Sequence, residues 1–222
     1  MRIATYRYQD QRHVGQVSAD GQTVTAFDVP ADVAQHGALR LIETLMAGGT
    51  LPALTRQTVA VADVKLEAPI PLPRRNIWCV GRNYHEHAKE LSTSVFKDSN
   101  TNTQAWPIVF TKVPECVVGP FDDVVLPGAA VSDQIDYESE LAVIIGHGGK
   151  NIAAADAMKH IYGYTIVNDV TARDVQMRHQ QWDMGKSFDT FCPMGPWLVT
   201  ADELDGTHTR VRGIVNGEQR QD

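Results

Sequence analysis

DYESELAVIIG, residues 136–146, is the stretch on which the fold turns. Leu141–Ile145 is a short apolar run rich in β-branched residues, as in a strand of a protein core. Glu138 and Glu140 stand two apart at its entry. Side chains alternate across a strand, so both carboxylates point to the same face. That face continues through Ala142 and Ile144, which turns the carboxylates toward the protein or a pocket; the alternative is a solvent face of alternating charge. A second apolar run, Tyr164–Val167, leads to Asp169, a third carboxylate at a strand end. If the three converge, repulsion is serious: like charges ~4 Å apart cost on the order of 4 kcal/mol at an effective dielectric of about 20. Protons or a cation must relieve it. Carboxylates without His or Cys suit a hard ion, so the expected ligand set Glu138, Glu140 and Asp169 would take Mg2+, with Mn2+ or Ca2+ as alternatives.

Working outward, the first 65 or so residues read as a small β-rich unit. Arg2–Tyr8, His13–Ser18 and Thr23–Val29 are expected strands, with Asp20-Gly21 supplying a hairpin turn. Leu39–Met46 has helical apolar spacing and stops at Gly48-Gly49. The prolines of LEAPIPLPRR mark a linker, which divides the chain into a small N-terminal β-rich domain (1–68) and a larger domain (69–222). Asn76–Val80 reads as a buried strand, followed by a helix over 84–91 capped by Asn83. The Ser, Thr and Asn-rich stretch Ser92–Ala105 reads as a long loop, a candidate lid. Thr171 with Asp174 three residues on makes a capping box that opens a helix toward Met184. Strands dominate and the alternating pattern of a doubly wound sheet is absent, so the class is α+β, mainly β.

Around the carboxylates stand candidate proton-handling and binding groups. His87 and Glu90 are i and i+3 on the expected helix, where a carboxylate can orient an imidazole that takes a proton from water. The alternative is a solvated helix face, and His85 with His87 diverge too far for a zinc pair. Arg173 and Gln176 share the same spacing and could hold a carboxylate or oxo group; a surface salt bridge is the alternative. Gly185-Lys186-Ser187 lacks the upstream glycine spacing of a phosphate-binding loop and is rejected as one.

Composition narrows the classes. The 222 residues carry a formal charge of -7 and no run of Lys or Arg, which excludes a nucleic-acid or anionic-membrane surface as the expectation. MRIATYRYQD has no apolar h-region, so no signal peptide is expected, and no apolar stretch is long enough to span a bilayer. Cys79, Cys116 and Cys192 form no CxxC and fit buried thiols in a reducing compartment, so the expected location is cytoplasmic.

GRNYHEHAKE (81–90), DYESELAVIIG (136–146), NDVTARDVQ (168–176), GKSFDTFCPMGPW (185–197) and NGEQRQ (216–221) occur together and in this order. In that combination the chain resembles the fumarylacetoacetate hydrolase family over about residues 70–222. The resemblance implies a mixed β-sandwich roll, usually a homodimer, with Glu138, Glu140 and Asp169 as metal ligands. It makes His87 and Glu90 the pair that activates water or moves a proton. Arg173, Gln176 and Thr190 become substrate-binding residues for a small oxo-acid, and Lys186 a catalytic residue that stabilises enolate charge. The implied chemistry is hydrolytic or lytic cleavage of a C–C bond beside a carbonyl in a small β-diketo or 2-oxo acid. Isomerisation or decarboxylation on the same scaffold is the alternative. All need an enolate beside a divalent metal acting as Lewis acid.

Three departures qualify the resemblance. Val80 stands where the mammalian-type hydrolase has a fourth acidic ligand, which points to the branch of acylpyruvate hydrolases, oxaloacetate decarboxylases and isomerases of aromatic catabolism. Asp189 follows Lys186-Ser187-Phe188 where that hydrolase has glycine. The family continues past NGEQRQ through further strands and a Thr-Gly-Thr-Pro loop, whereas this sequence stops at Asp222. The expectation is a fragment of a longer chain, or a fold completed by another segment. A reading of another class is an inactive dimerising or oxo-acid-binding module.

Overall fold

A computed structural model describes residues 1–81, 83, 106–178 and 181–222. The N-terminal strands appear as expected: β1 (Arg2–Tyr8), β2 (Gln11–Val17) and β3 (Thr23–Phe27) form an antiparallel meander. Gly21 takes the positive φ of 73° that the turn between β2 and β3 requires. A one-turn helix α1 (Ala31–Ala34) precedes α2 (Ala38–Met46), and β4 (Leu54–Ala60) closes this side of the sheet on β3. Ala38, Leu41 and Ile42 lie on one face of α2 and pack on Ile3, Val14, Phe27 and Leu198. Past the helix end, Gly48 N–H donates to the Leu45 carbonyl and Gly49 N–H to that of Thr44.

β5 (Lys65–Glu67) pairs with β1, and its Leu66 joins Ala4, Tyr6, Val17 and Val24 on the sheet face opposite α2. β1 is therefore buried on both faces, and its consecutive residues serve two cores. The chain then forms a hairpin of β6 (Ile77–Gly81) and β7 (Ile108–Lys112), and the short β8 (Val117–Val118) and β9 (Ile135–Asp136). β10 (Ser139–Ile145) and β11 (Ile161–Asn168) pair antiparallel, Glu140 opposite Val167. After β12 (Thr171–Ala172), α3 (Arg173–Arg178) and α4 (Asp183–Lys186) come β13 (Cys192–Thr200) and the hairpin β14 (Gly213–Val215) and β15 (Glu218–Gln221).

Nine strands share one sheet, ordered β10-β11-β13-β1-β2-β3-β4, with β5 on β1 and β8 on β13. Strands on both sides of the proline-rich stretch thus meet in it, through Arg2 opposite Val199 and Ile3 opposite Leu198. The architecture is mainly β, and β10 is the sheet edge among the described residues. Beneath β10 and β11, Val167, Cys116, Cys192, Met194 and Ala68 form a core that Ala142 and Ile77 cover.

Three local expectations are corrected. The strand expected to be buried over Asn76–Val80 is not, with Trp78 73% and Val80 50% exposed. Thr171 does not cap a helix. It lies in β12 opposite Asp136, and its hydroxyl donates to Glu138 Oε2 at 2.9 Å. The helix starts only at Arg173, so Thr171 stands one residue before the cap position and is held in the ladder with Asp136. Nor does one helix run to Met184: α3 ends at Arg178, and α4 starts afresh at Asp183.

Candidate active site

Glu138 precedes β10 and Asp169 follows β11, so the antiparallel pairing of these strands sets the two residues side by side. The Asp169 N–H donates to the Glu138 carbonyl at 2.8 Å, which fixes both main chains. Both residues are nearly buried, 8% and 6% exposed. Buried carboxylates need partners, and lysine from α4 provides one. Lys186 Nζ, 2% exposed, donates to Glu138 Oε2 at 2.5 Å and to Asp169 Oδ2 at 2.7 Å. It also lies 4.8 Å from the centre of the Phe110 ring.

Arg173, the first residue of α3, faces the other oxygen of Glu138 at 3.0 Å. It donates from Nε and Nη2 to Asp136 Oδ2 at 2.9 and 2.8 Å, and from Nη1 to Gln176 Oε1 at 3.1 Å. Burial pushes the Glu138 carboxyl up, but the Lys186 and Arg173 charges outweigh it and bring the pKa down to about 2. For the Arg173 guanidinium burial acts against the charge, and Glu138 with Asp136 more than offset it, so the pKa is raised.

These groups line a cleft of about 1140 Å³ between the β10 edge and the β6–β7 hairpin. Glu138, Glu140, Asp169, Arg173, Gln176 and Lys186 all face it, so six of the residues singled out from sequence come together. Thr190 is not among the lining residues; it lies in a turn with φ of 69°, its hydroxyl accepting from the Val125 N–H at 2.8 Å. His87, Glu90, the helix expected over 84–91 and the whole candidate lid over 92–105 lie outside the described residues. Cys116 and Cys192 are buried free thiols, as expected, while half-buried Cys79 reaches the cleft, its thiol pushed up to about 12 chiefly by burial.

Sequence reasoning missed Lys112, Asp136 and Thr171. Lys112, at the end of β7, is 1% exposed, and its Nζ stands 2.8 Å from Asp169 Oδ1. That contact is an ion pair without hydrogen-bond geometry: Oδ1 has no hydrogen-bond partner among the described residues. A signal existed. Phe110 and Lys112 are two apart in IVFTK, so the lysine shares the face of an apolar residue.

A family profile described as fumarylacetoacetate (FAA) hydrolase C-terminal matches residues 76–222. The chain belongs to the fumarylacetoacetate hydrolase family. Oxaloacetate tautomerase YisK of Bacillus subtilis (strain 168) is 48% identical over 163 residues, 73% of this chain and 52% of that protein. The chain spans about half the length of the curated relatives it matches. Among solved structures, the fumarylacetoacetate hydrolase of psychrophilic Exiguobacterium antarcticum matches with a TM-score of 0.77 at 35% identity, over 100% of this chain and 74% of that one. Maleylpyruvate hydrolase from Sphingobium sp. SYK-6, in complex with manganese (II) ion and pyruvate, matches with a TM-score of 0.72 at 26% identity, over 100% of this chain and 75% of that one.

Does this chain offer a divalent ion a fit? In donor type it does. Three carboxylates line one cleft, and the buried Asp169 Oδ1 accepts no hydrogen bond among the described residues. In placement they are not gathered: among the described residues no three His, Cys, Asp or Glu side chains surround one point closely enough to hold an ion. Glu138 and Asp169 meet at the Lys186 ammonium instead. No helix of the described residues is long and apolar enough to cross a membrane.

Proposed function

We propose that this chain carries the site of a divalent-metal-dependent enzyme that acts on a small 2-oxo or β-diketo acid through its enolate. The observation that carries the reading is the ammonium of Lys186, buried at the cleft wall and held by two carboxylates. An ammonium has three donors. Two are engaged by Glu138 and Asp169, which leaves one for an oxygen that gains negative charge. Preorganised donors in a site shielded from water are the largest source of such stabilisation. Gln176 accepts from Arg173 through Oε1, so its amide NH2 is presented as a donor for the substrate carboxylate, beside the guanidinium. Glu138, Glu140 and Asp169 would hold the ion, Mg2+ or Mn2+, which when bound supplies Lewis-acid polarisation of the substrate carbonyl.

C–C cleavage, decarboxylation and keto–enol isomerisation all pass through an enolate. Hydrolytic cleavage also needs an activated water, the role assigned to His87 and Glu90. The described groups bind a carboxylate and stabilise an enolate, which is what tautomerisation requires. The 48% identity to an oxaloacetate tautomerase favours that second reading within the same scheme. A second copy of the chain as partner is part of the proposal.

The test is turnover of oxaloacetate, followed as enol-to-keto conversion and as decarboxylation, beside cleavage of acylpyruvates, with Mg2+ or Mn2+ and an EDTA control. Metal-dependent turnover that disappears in Glu140→Ala, with the circular dichroism spectrum kept, is the expected result. Turnover that survives EDTA and Glu140→Ala would remove the metal assignment.

A further inference from the structure

We infer that Lys112 is a positioning residue of this site, setting the main chains that carry Asp169 and Lys186 so that their side chains meet. The inference rests on the enolate reading above. Lysine is almost never fully buried unless paired, yet Lys112 is 1% exposed, at the cleft wall behind Asp169 and Lys186. Its Nζ donates to the Val170 carbonyl at 3.1 Å and to the Lys186 carbonyl, and faces Asp169 Oδ1 at 2.8 Å. Those carbonyls belong to the residue next to Asp169 and to Lys186 itself. One cation therefore ties β7 to the corner between β11 and β12 and to the last residue of α4.

A buried ion pair is a poor device for stability alone, because desolvation consumes most of the Coulombic gain and apolar residues of similar volume often do as well. What Lys112 supplies is placement. Asp169 Oδ2 and Lys186 Nζ meet at 2.7 Å from two separate segments, the β11 corner and the end of α4. α4 has only four residues and cannot hold its own end rigidly. Without Lys112, two carbonyls and a carboxylate oxygen in a nearly closed interior lose their partner, and the segments are free to part.

The experiment compares the parent with Lys112→Met, which keeps the length of the side chain and removes the charge and its donors. Shielded, hydrogen-bonded lysine ammonium groups give resolved proton–nitrogen correlation signals, and that of Lys186 is assigned by its loss in Lys186→Met. The expected result is a Lys186 signal in the parent that is displaced or lost in Lys112→Met, while backbone amides remote from the site keep their positions. With an oxo-acid substrate, kcat falls by about 100-fold at little-changed KM, the effect of a misplaced catalytic group. A Lys186 signal unmoved in folded Lys112→Met overturns the inference whatever the activity, as does its absence from the parent. A parent that turns over no oxo acid, with the signal still lost in Lys112→Met, leaves the positioning role standing and removes the enolate reading. Should Lys112→Met fail to fold, Lys112→Met/Asp169→Asn, which removes both charges, is read in the same way against Asp169→Asn alone.

Discussion

Gly185→Ala sets two effects of opposite sign against each other. Alanine is the better helix former by about 1 kcal/mol, and Gly185 lies inside α4, so propensity alone predicts a more stable protein. The packing says otherwise. A Cβ on Gly185 would stand 2.6 Å from the Gln176 nitrogen, 2.7 Å from the Ala172 carbonyl oxygen and 2.8 Å from the Gln176 Cα. All three are backbone atoms, so no side chain can swing aside. Ordinary contact begins at 3.4 Å, so α4 must withdraw from α3 by about 0.8 Å. Overpacking of this kind costs about 1–3 kcal/mol. It exceeds the propensity gain over most of that range, and by up to about 2 kcal/mol, which lowers Tm by as much as about 8 °C in a chain of this size. Lys186 is the next residue, and the same withdrawal stretches its 2.5 and 2.7 Å hydrogen bonds past the ~3.2 Å limit. Turnover should fall more steeply than stability, by about 100-fold. Thermal unfolding by circular dichroism and oxo-acid turnover on one preparation give both numbers. A Gly185→Ala protein that melts above the parent and keeps its turnover would refute the close packing of the two helices and the placement of Lys186 derived from it.

Two further outcomes follow from the charge network. The Glu138 carboxyl is depressed from 4.5 to about 2, worth about 3 kcal/mol of folding free energy at neutral pH. For a depressed carboxylate that stabilisation is present above the unfolded value of 4.5 and is lost as pH falls through about 2. Urea midpoints measured in EDTA should therefore drop on acidification in the parent and drop less in Glu138→Gln; parallel curves would deny the pairing. Arg173→Ala removes the guanidinium beside Gln176, and a lost charge-assisted bond of about 1.5–3 kcal/mol raises KM for the oxo acid by about 10- to 100-fold. Steady-state kinetics with an unchanged KM would assign Arg173 to bracing Asp136 and Glu138 instead.

The parts legible in sequence are those whose signal is local. The meander β1-β2-β3 announces itself through short alternating runs and a turn glycine. α2 shows its apolar face and closing glycines, and Leu141–Ile145 forms the expected strand, though at the sheet edge with Val143 and Ile145 exposed. That Glu138, Glu140 and Asp169 face one cleft is legible because each stands near a strand end on a determinable face. What stayed hidden is long-range. Nothing near Arg2 or Ile3 specifies Val199 and Leu198 as partners, so the joining of the N-terminal strands to β13 has no local signature. Thr171 carries a capping pattern, and only its pairing with the distant Asp136 keeps it in a strand, one residue short of the cap position. The partners of Lys112, the carbonyls of Val170 and Lys186, lie 58 and 74 residues away and leave no local sign.

Asp169 is where these hidden contacts converge. Its Oδ2 faces Lys186 at 2.7 Å and its Oδ1 faces Lys112 at 2.8 Å, with all three groups nearly buried. An unpaired buried charge costs several kcal/mol, so losing that carboxylate is costly, and most of all for Lys112. Glu138 can compensate only for Lys186, which it alone also reaches, while Lys112 has no second carboxylate within ion-pairing distance among the described residues. The same carboxylate is assigned to a divalent ion, which would compete with both ammonium groups for its oxygens. A site built this way has its electrostatic balance set by one residue. The affinity for the ion and the stability of the ion-free protein are then coupled through Asp169, and a substitution there must alter both together.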